Sequence, residues 1–246
     1  MKRFFAPALV VALLASPLWA KDISIEDFLT ESEPQKVFRS MSEDIGAAFA
    51  YRSVAPAYRL GGVLPGFELG ADVSVSSLNN TGTWGKVGEN DFSSSLPLAR
   101  LTAQVGLPFI PLDFGVAYTS VPSSDLKLMG YELRYSIWDG GALAPALAAR
   151  LSHSKLSGVD DLSFDTTAVE VGASYDFAII TPYVNAGMVK VTSDPDGVDE
   201  LDKETFSLKR FTVGARIAIM PLVGVTVEAD TTGDVRTLTA KIALRF

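Results

Sequence analysis

The only histidine in this 246-residue sequence, His153, stands between Ser152 and Ser154. A histidine beside a serine hints at an activated nucleophile, which requires the base within hydrogen-bond reach of the hydroxyl. Neighbours on an extended strand point to opposite faces, so neither serine would meet the imidazole. The residue two places on, which shares its face, is Lys155. A solvated histidine near a strand end is the expectation, and no enzyme. A second cluster, Asp194, Asp196, Asp199, Glu200, Asp202 and Glu204 around Gly197, offers oxygen ligands of the kind calcium takes. Its order does not follow a helix–loop–helix calcium site, and a solvated loop accounts for it, as for Asp160 and Asp161. The sequence has no cysteine. Disulfides, thiolate metal sites and a cysteine-linked lipid anchor are thereby excluded. Zinc spacings and glycine-rich phosphate loops are absent too, so no metal or cofactor is expected.

A third set of charged groups is spread along the chain at a spacing of two. Glu68 and Asp72 interleave with Phe67, Leu69, Ala71 and Val73, and Arg100 lies between Ala99 and Leu101. Asp113 precedes Phe114, Val116 and Tyr118, while Glu132 and Arg134 separate Tyr131, Leu133 and Tyr135. Arg150, Glu170 and Asp176 have apolar or aromatic neighbours on both sides, as do Arg216 and Glu228, and Arg210 precedes Phe211. Asp230 follows Ala229, and Lys241 and Arg245 alternate with Ala240, Ile242, Leu244 and Phe246. Period two puts the apolar set on one face of a strand and the charges on the other. Eight acids and seven bases share the charged face, which is nearly neutral. An isolated buried ion costs several kcal/mol, so such a set must pair if it lines a closed interior.

The elements that would carry these groups are ten alternating segments between residues 66 and 246, each near the ~9–11 residues of a tilted membrane-spanning strand. Apolar types make up 48% of the chain and mean hydropathy is +0.24. Beyond residue 20 no apolar run approaches the ~20 residues of a spanning helix. The apolar faces must therefore meet either a soluble core or lipid. Connections favour lipid. Short ones are expected at 108–111, 139–142, 178–181 and 220–222, and longer polar ones at 78–93, 152–163 and 193–203. Short turns at one end and long loops at the other mark an outer-membrane barrel. Two connections, 121–125 and 231–234, are short where long ones belong. Phe67, Phe114, Trp138, Phe177 and Tyr183 fall near the short turns, with Tyr118 and Tyr131 further along, where interfacial aromatics sit. Residues 182–191 alternate less cleanly and suggest a bulge.

The N-terminus reads differently. Lys2 and Arg3 precede an apolar run over residues 4–14, and Ala20 ends a plausible cleavage region, so residues 1–20 have the form of a secretory leader. Net charge is −8, and loss of Lys2 and Arg3 would take it to −10. An acidic chain without a basic run excludes a nucleic-acid partner. Over residues 21–45, Ile25, Phe28 and Leu29, then Val37, Phe38, Met41 and Ile45, recur at helical spacing. Ser24 with Asp27 resembles a capping box, and Pro34 suits a first turn. Two short helices are expected, plugging the barrel or lying at its periplasmic mouth. Residues 46–246 would form the barrel, with 46–60 adding strands if the count is twelve rather than ten.

The ending Leu244-Arg245-Phe246 resembles the C-terminal signature of bacterial outer-membrane proteins. That resemblance implies that Phe246 is read by the barrel-assembly machinery. Residues 60–70, LGGVLPGFELG, resemble the first-strand start of uncharacterised bacterial outer-membrane barrels, and residues 181–187, TPYVNAG, a strand start of small porin-like barrels. Together these predict an all-β, antiparallel up-and-down barrel in the outer membrane, in contact with its lipid. The functional expectation is a narrow or gated passive pore for small solutes, with the inward charges setting selectivity. The alternative is a non-conducting structural or surface-interaction barrel. A lipid-modifying enzyme is the weakest of the three, because such enzymes place serine two residues from histidine.

Overall fold

A computed structural model describes residues 25–85, 93–120, 126–141, 144–159, 161–198 and 200–246. The leader over 1–20, Ser24 of the capping pair, the turn at 121–125, Asp160 and Asp199 lie outside the described residues.

The ten alternating segments form ten antiparallel strands. They are β1 (Gly66–Ser77), β2 (Ser95–Gly106), β3 (Leu112–Ser120), β4 (Lys127–Trp138), β5 (Ala146–Ser157), β6 (Leu162–Ser174), β7 (Ile180–Pro195), β8 (Glu204–Met220), β9 (Val223–Thr232) and β10 (Val235–Arg245). Each pairs with its neighbours in sequence, and β1 pairs with β10 to close the barrel. Closure satisfies every edge, as a lipid surround demands. Phe246 completes the seam. Its main chain exchanges hydrogen bonds with Phe67 at 2.7 and 3.0 Å, and the two rings stack 5.8 Å apart.

Register shifts fall between Ser136 and Trp138 and between Ala218 and Met220, both at the short-turn end. The bulge expected over 182–191 is not there. β7 pairs without interruption on both sides, and its irregular hydropathy reflects Val189 and Val191 facing inward. The 152–163 loop also contracts. β5 runs to Ser157 and β6 starts at Leu162, which puts His153 within a strand.

Residues 46–60 add no strand. The N-terminal region begins with a 3-10 turn (Ile25–Thr30), followed by helix α1 (Pro34–Phe49) with Pro34 in its first turn. The helix outlasts the expected boundary at 45, because Ala47, Ala48 and Phe49 are buried with it. Its apolar face packs with Phe28 against Leu96, Leu98, Leu156, Phe164, Val189, Val191 and Val235. Those are inward-facing residues in the loop-end half of the wall. Of the two places expected for this segment, it occupies the lumen, at the end opposite the periplasmic mouth. From Ala50 the chain runs without regular structure down the lumen to the short-turn end, where β1 begins.

Candidate functional site

The lumen is the site, and its centre is the chain's own backbone. Val54 adopts φ +46°, and Pro56 lacks an N–H, so strand geometry is interrupted in the middle of residues 50–60. Their buried carbonyls still need partners. The wall supplies them. Ser154 Oγ donates to Phe49 O at 3.0 Å and Arg210 Nη1 to Tyr51 O at 2.7 Å. Arg150 Nη2 donates to Ala55 O and Pro56 O at 2.6 and 2.9 Å, and Arg134 Nη1 to Pro56 O at 3.1 Å. Arg245 Nη2 holds Arg59 O at 3.0 Å. Plug donors are met in turn. Ser53 Oγ donates to Glu132 at 3.0 Å, Ala57 N to Ser174 Oγ at 3.1 Å and Leu60 N to Asp113 Oδ2 at 3.0 Å. Arg52 folds back on the helix end, donating to Ala47 O and Ala48 O, and pairs with Asp230 at 3.4 Å.

Two wall glycines make room for the plug. A Cβ on Gly115 would lie 2.8 Å from the Tyr51 hydroxyl, and one on Gly130 would lie 2.5 Å from its ring. These glycines sit on the paired strands β3 and β4. Higher up, a Cβ on Gly46 would meet Val191 Cγ2 at 2.6 Å, so only a glycine lets the helix approach β7 this closely. At the mouth, Gln35 bonds Glu204 at 2.6 Å and Arg39 bonds Glu204 and Glu43 at 2.7 and 2.8 Å. Partial burial works against the Arg39 charge, but these carboxylates outweigh it and raise its pKa. Asp44 accepts from the backbone of Asn79 and Asn80, tying α1 to the connection after β1.

Twelve of the fifteen charged residues read from the alternation are buried in the lumen: Glu68, Asp72, Arg100, Asp113, Glu132, Arg134, Arg150, Glu170, Arg210, Glu228, Asp230 and Lys241. Asp72 pairs with Arg100 at 2.8 Å, Asp113 with Arg134 at 2.6 Å, and Glu68 with Lys241 at 2.7 Å. Arg210 lies 3.4 Å from Asp230 and 3.6 Å from Glu170. Arg216 and Arg245 are half-buried near the turn end. Asp176 is a correction. β6 stops at Ser174 and Ala178 turns the chain at φ +54°, so Asp176 is exposed and accepts from Thr181 Oγ1 at 2.6 Å. Tyr183 is another. Expected among the interfacial aromatics, it points inward and donates to Glu228 at 2.6 Å.

Sequence reasoning missed Arg52, Tyr51 and Asp44, and weighed Ser154 only as a nucleophile and not as a donor to the plug. One signal was available for Arg52. It is the single charge in residues 46–57, GAAFAYRSVAPA, and a lone ion in so apolar a stretch calls for a buried partner.

The outer wall is the inverse of the lumen. Leu101, Val169 and Leu238 are 61–67% exposed, whereas Asp72 and Arg134 inside are 2% exposed. Phe67, Phe114, Trp138 and Phe177 lie exposed toward the short-turn end. An apolar band that surrounds every strand exceeds any patch a soluble monomer shows. No described helix is long and apolar enough to cross a membrane, and the strands do the crossing.

No family model matches the chain, and no curated protein matches it. Among solved structures it is similar to the N-terminal β-barrel domain of Pseudomonas aeruginosa OprF, at 12% identity and TM-score 0.36 over 71% of this chain and 97% of that one. It is also similar to Ail, the attachment invasion locus protein of Yersinia pestis, at 13% identity and TM-score 0.35 over 74% and 97%. A third is the Acinetobacter baumannii outer membrane protein Omp33, at 11% identity and TM-score 0.31 over 73% and 97%. The class rests on the chain's own geometry. A closed ten-strand antiparallel barrel, apolar outside and charged within, is an outer-membrane β-barrel.

Proposed function

We propose that this is a self-plugged outer-membrane barrel, non-enzymatic and non-conducting in the described state, which serves as a structural or surface-interaction barrel. One observation carries the reading. Arg134, Arg150, Ser154, Arg210 and Arg245 all spend donors on main-chain carbonyls of residues 49–59. Donors committed to a threaded backbone are not a selectivity lining for hydrated solutes.

The pore expectation is kept only in a gated form, in which the N-terminal segment leaves. Leaving would expose Phe28, Val37, Phe38, Met41 and Phe49. At about 1.5–3 kcal/mol for each large side chain, that is on the order of 10 kcal/mol. That apolar burial favours the closed state and opposes the entropy that the released segment would regain. At the loop end, α1 and its ties to Glu204 and Asn80 support a closed, rigid surface facing outward. A non-enzymatic reading is supported at the one candidate pair. Ser154 turns inward to Phe49 O, while His153 turns outward to Thr167 at 3.1 Å.

Single-channel recording of the purified full chain in planar bilayers tests this. Silence is expected. Steady ion-selective steps would restore the pore.

A further inference from the structure

The outward face carries its charges at one end only. At the short-turn end the outward positions are apolar, including Phe67, Val105, Phe114, Ile137, Leu147 and Leu244. Within about five residues of the loop end, Lys127, Lys155, Lys190, Lys209 and Arg236 all face outward and are exposed. Among the described strand residues, two carboxylates share that outward collar: Asp165, directly opposite Lys155, and Asp194, held by Lys203 at 2.8 Å. The chain as a whole is acidic at −8, so a cationic collar is not a by-product of composition. A lysine on the lipid face of a barrel costs about 2–4 kcal/mol at the midplane and little at the interface. The collar therefore marks the level of the headgroups on the loop side.

The collar is densest across β5–β8. Lys155 and His153 share a strand face ~7 Å apart. His153 is opposite Thr167, which is opposite Lys190, so the imidazole and the Lys190 ammonium flank one hydroxyl across ~10 Å. Lys209 sits opposite Met188, diagonal to Lys190, and Ser207 sits opposite Lys190 itself. Ammonium groups and hydroxyls at this spacing, above a wall that takes acyl chains, match a phosphate carried on a lipid.

We propose that the outward face of β5–β8 at the loop end, built on Lys155, Lys190 and Lys209 with His153, Thr167 and Ser207 between them, docks the phosphorylated headgroups of the leaflet on that side. The site does not depend on whether the lumen conducts.

The test is native mass spectrometry of the detergent-solubilised full chain, offered phosphatidic acid and phosphatidylcholine together. Preferential retention of phosphatidic acid is expected, and equal retention overturns the proposal. Replacing Lys155, Lys190 and Lys209 by Gln should weaken that preference by about fivefold per lysine, on the order of a hundredfold together. An unchanged preference in the triple variant overturns it. The matching Lys→Arg variant keeps the charge and should keep the preference. Inorganic phosphate at the concentration of the lipid should not compete, and if it does, the site is for free phosphate and the lipid assignment fails.

Discussion

Arg134 and Arg150 stand directly opposite each other across β4 and β5, where like charges repel. The plug explains why both are there, since each donates to Pro56 O. Replacing Arg150 by Met leaves the carbonyls of Ala55 and Pro56 with fewer donors and Glu170 with less positive charge opposite. Loss of about 1–3 kcal/mol is expected, the cost of buried acceptors left without a donor. The midpoint of urea unfolding, read by heat-modifiable gel mobility, would fall, and an unchanged midpoint would show that Arg150 does not hold the plug. Tyr51 supplies a second residue-scale prediction. Gly130→Val should destabilise the barrel, because its branched side chain enters the space of the Tyr51 ring. Pairing it with Tyr51→Ala should recover part of the loss. Strict additivity of the two changes would place Tyr51 elsewhere.

At the scale of elements, α1 depends on its apolar face. Phe38 is fully buried and meets Phe28 edge-on at 6.1 Å. Phe38→Ala should cost about 3–5 kcal/mol. It should also raise amide exchange across residues 34–49, while exchange in β1 and β2 stays slow. Uniform loosening of the whole barrel would contradict a separable plug. Here the sequence was legible in part. Val37, Phe38, Met41 and Ile45 declare a helix, and Pro34 its start. Nothing in them states which end of the lumen it enters, because that depends on Val189 and Val191 turning inward from a strand whose alternation looks broken. The strands were legible because period two survives in nine of ten, and inward charges such as Glu68, Asp72 and Arg100 followed from phase alone. Asp176 failed because a strand end is set by turn geometry at Ala178, which periodicity does not contain.

For the whole molecule, the physical claim is that a barrel of ten strands is filled by its own chain. The lower lumen is held by polar contacts to backbone and the upper by apolar packing, so the two halves of the plug are held by different forces. Removing wall donors such as Arg150 or Arg210 should therefore disturb residues 50–60 before α1. Site-resolved amide exchange would check that order. The identities of the wall residues were open to sequence reasoning, but their partner was not, since residues 46–60 have no periodicity and were read as possible strand.

The most direct measurement is a disulfide between Gly46→Cys and Val191→Cys. The chain has no cysteine of its own, and an ideal Cβ on Gly46 lies 3.3 Å from Val191 Cβ, close to the ~3.8 Å of a disulfide. A threaded plug predicts near-complete bond formation on mild oxidation of the folded, membrane-inserted protein. Two thiols that stay free and react with a water-soluble maleimide would mean that the N-terminal segment does not lie in the lumen.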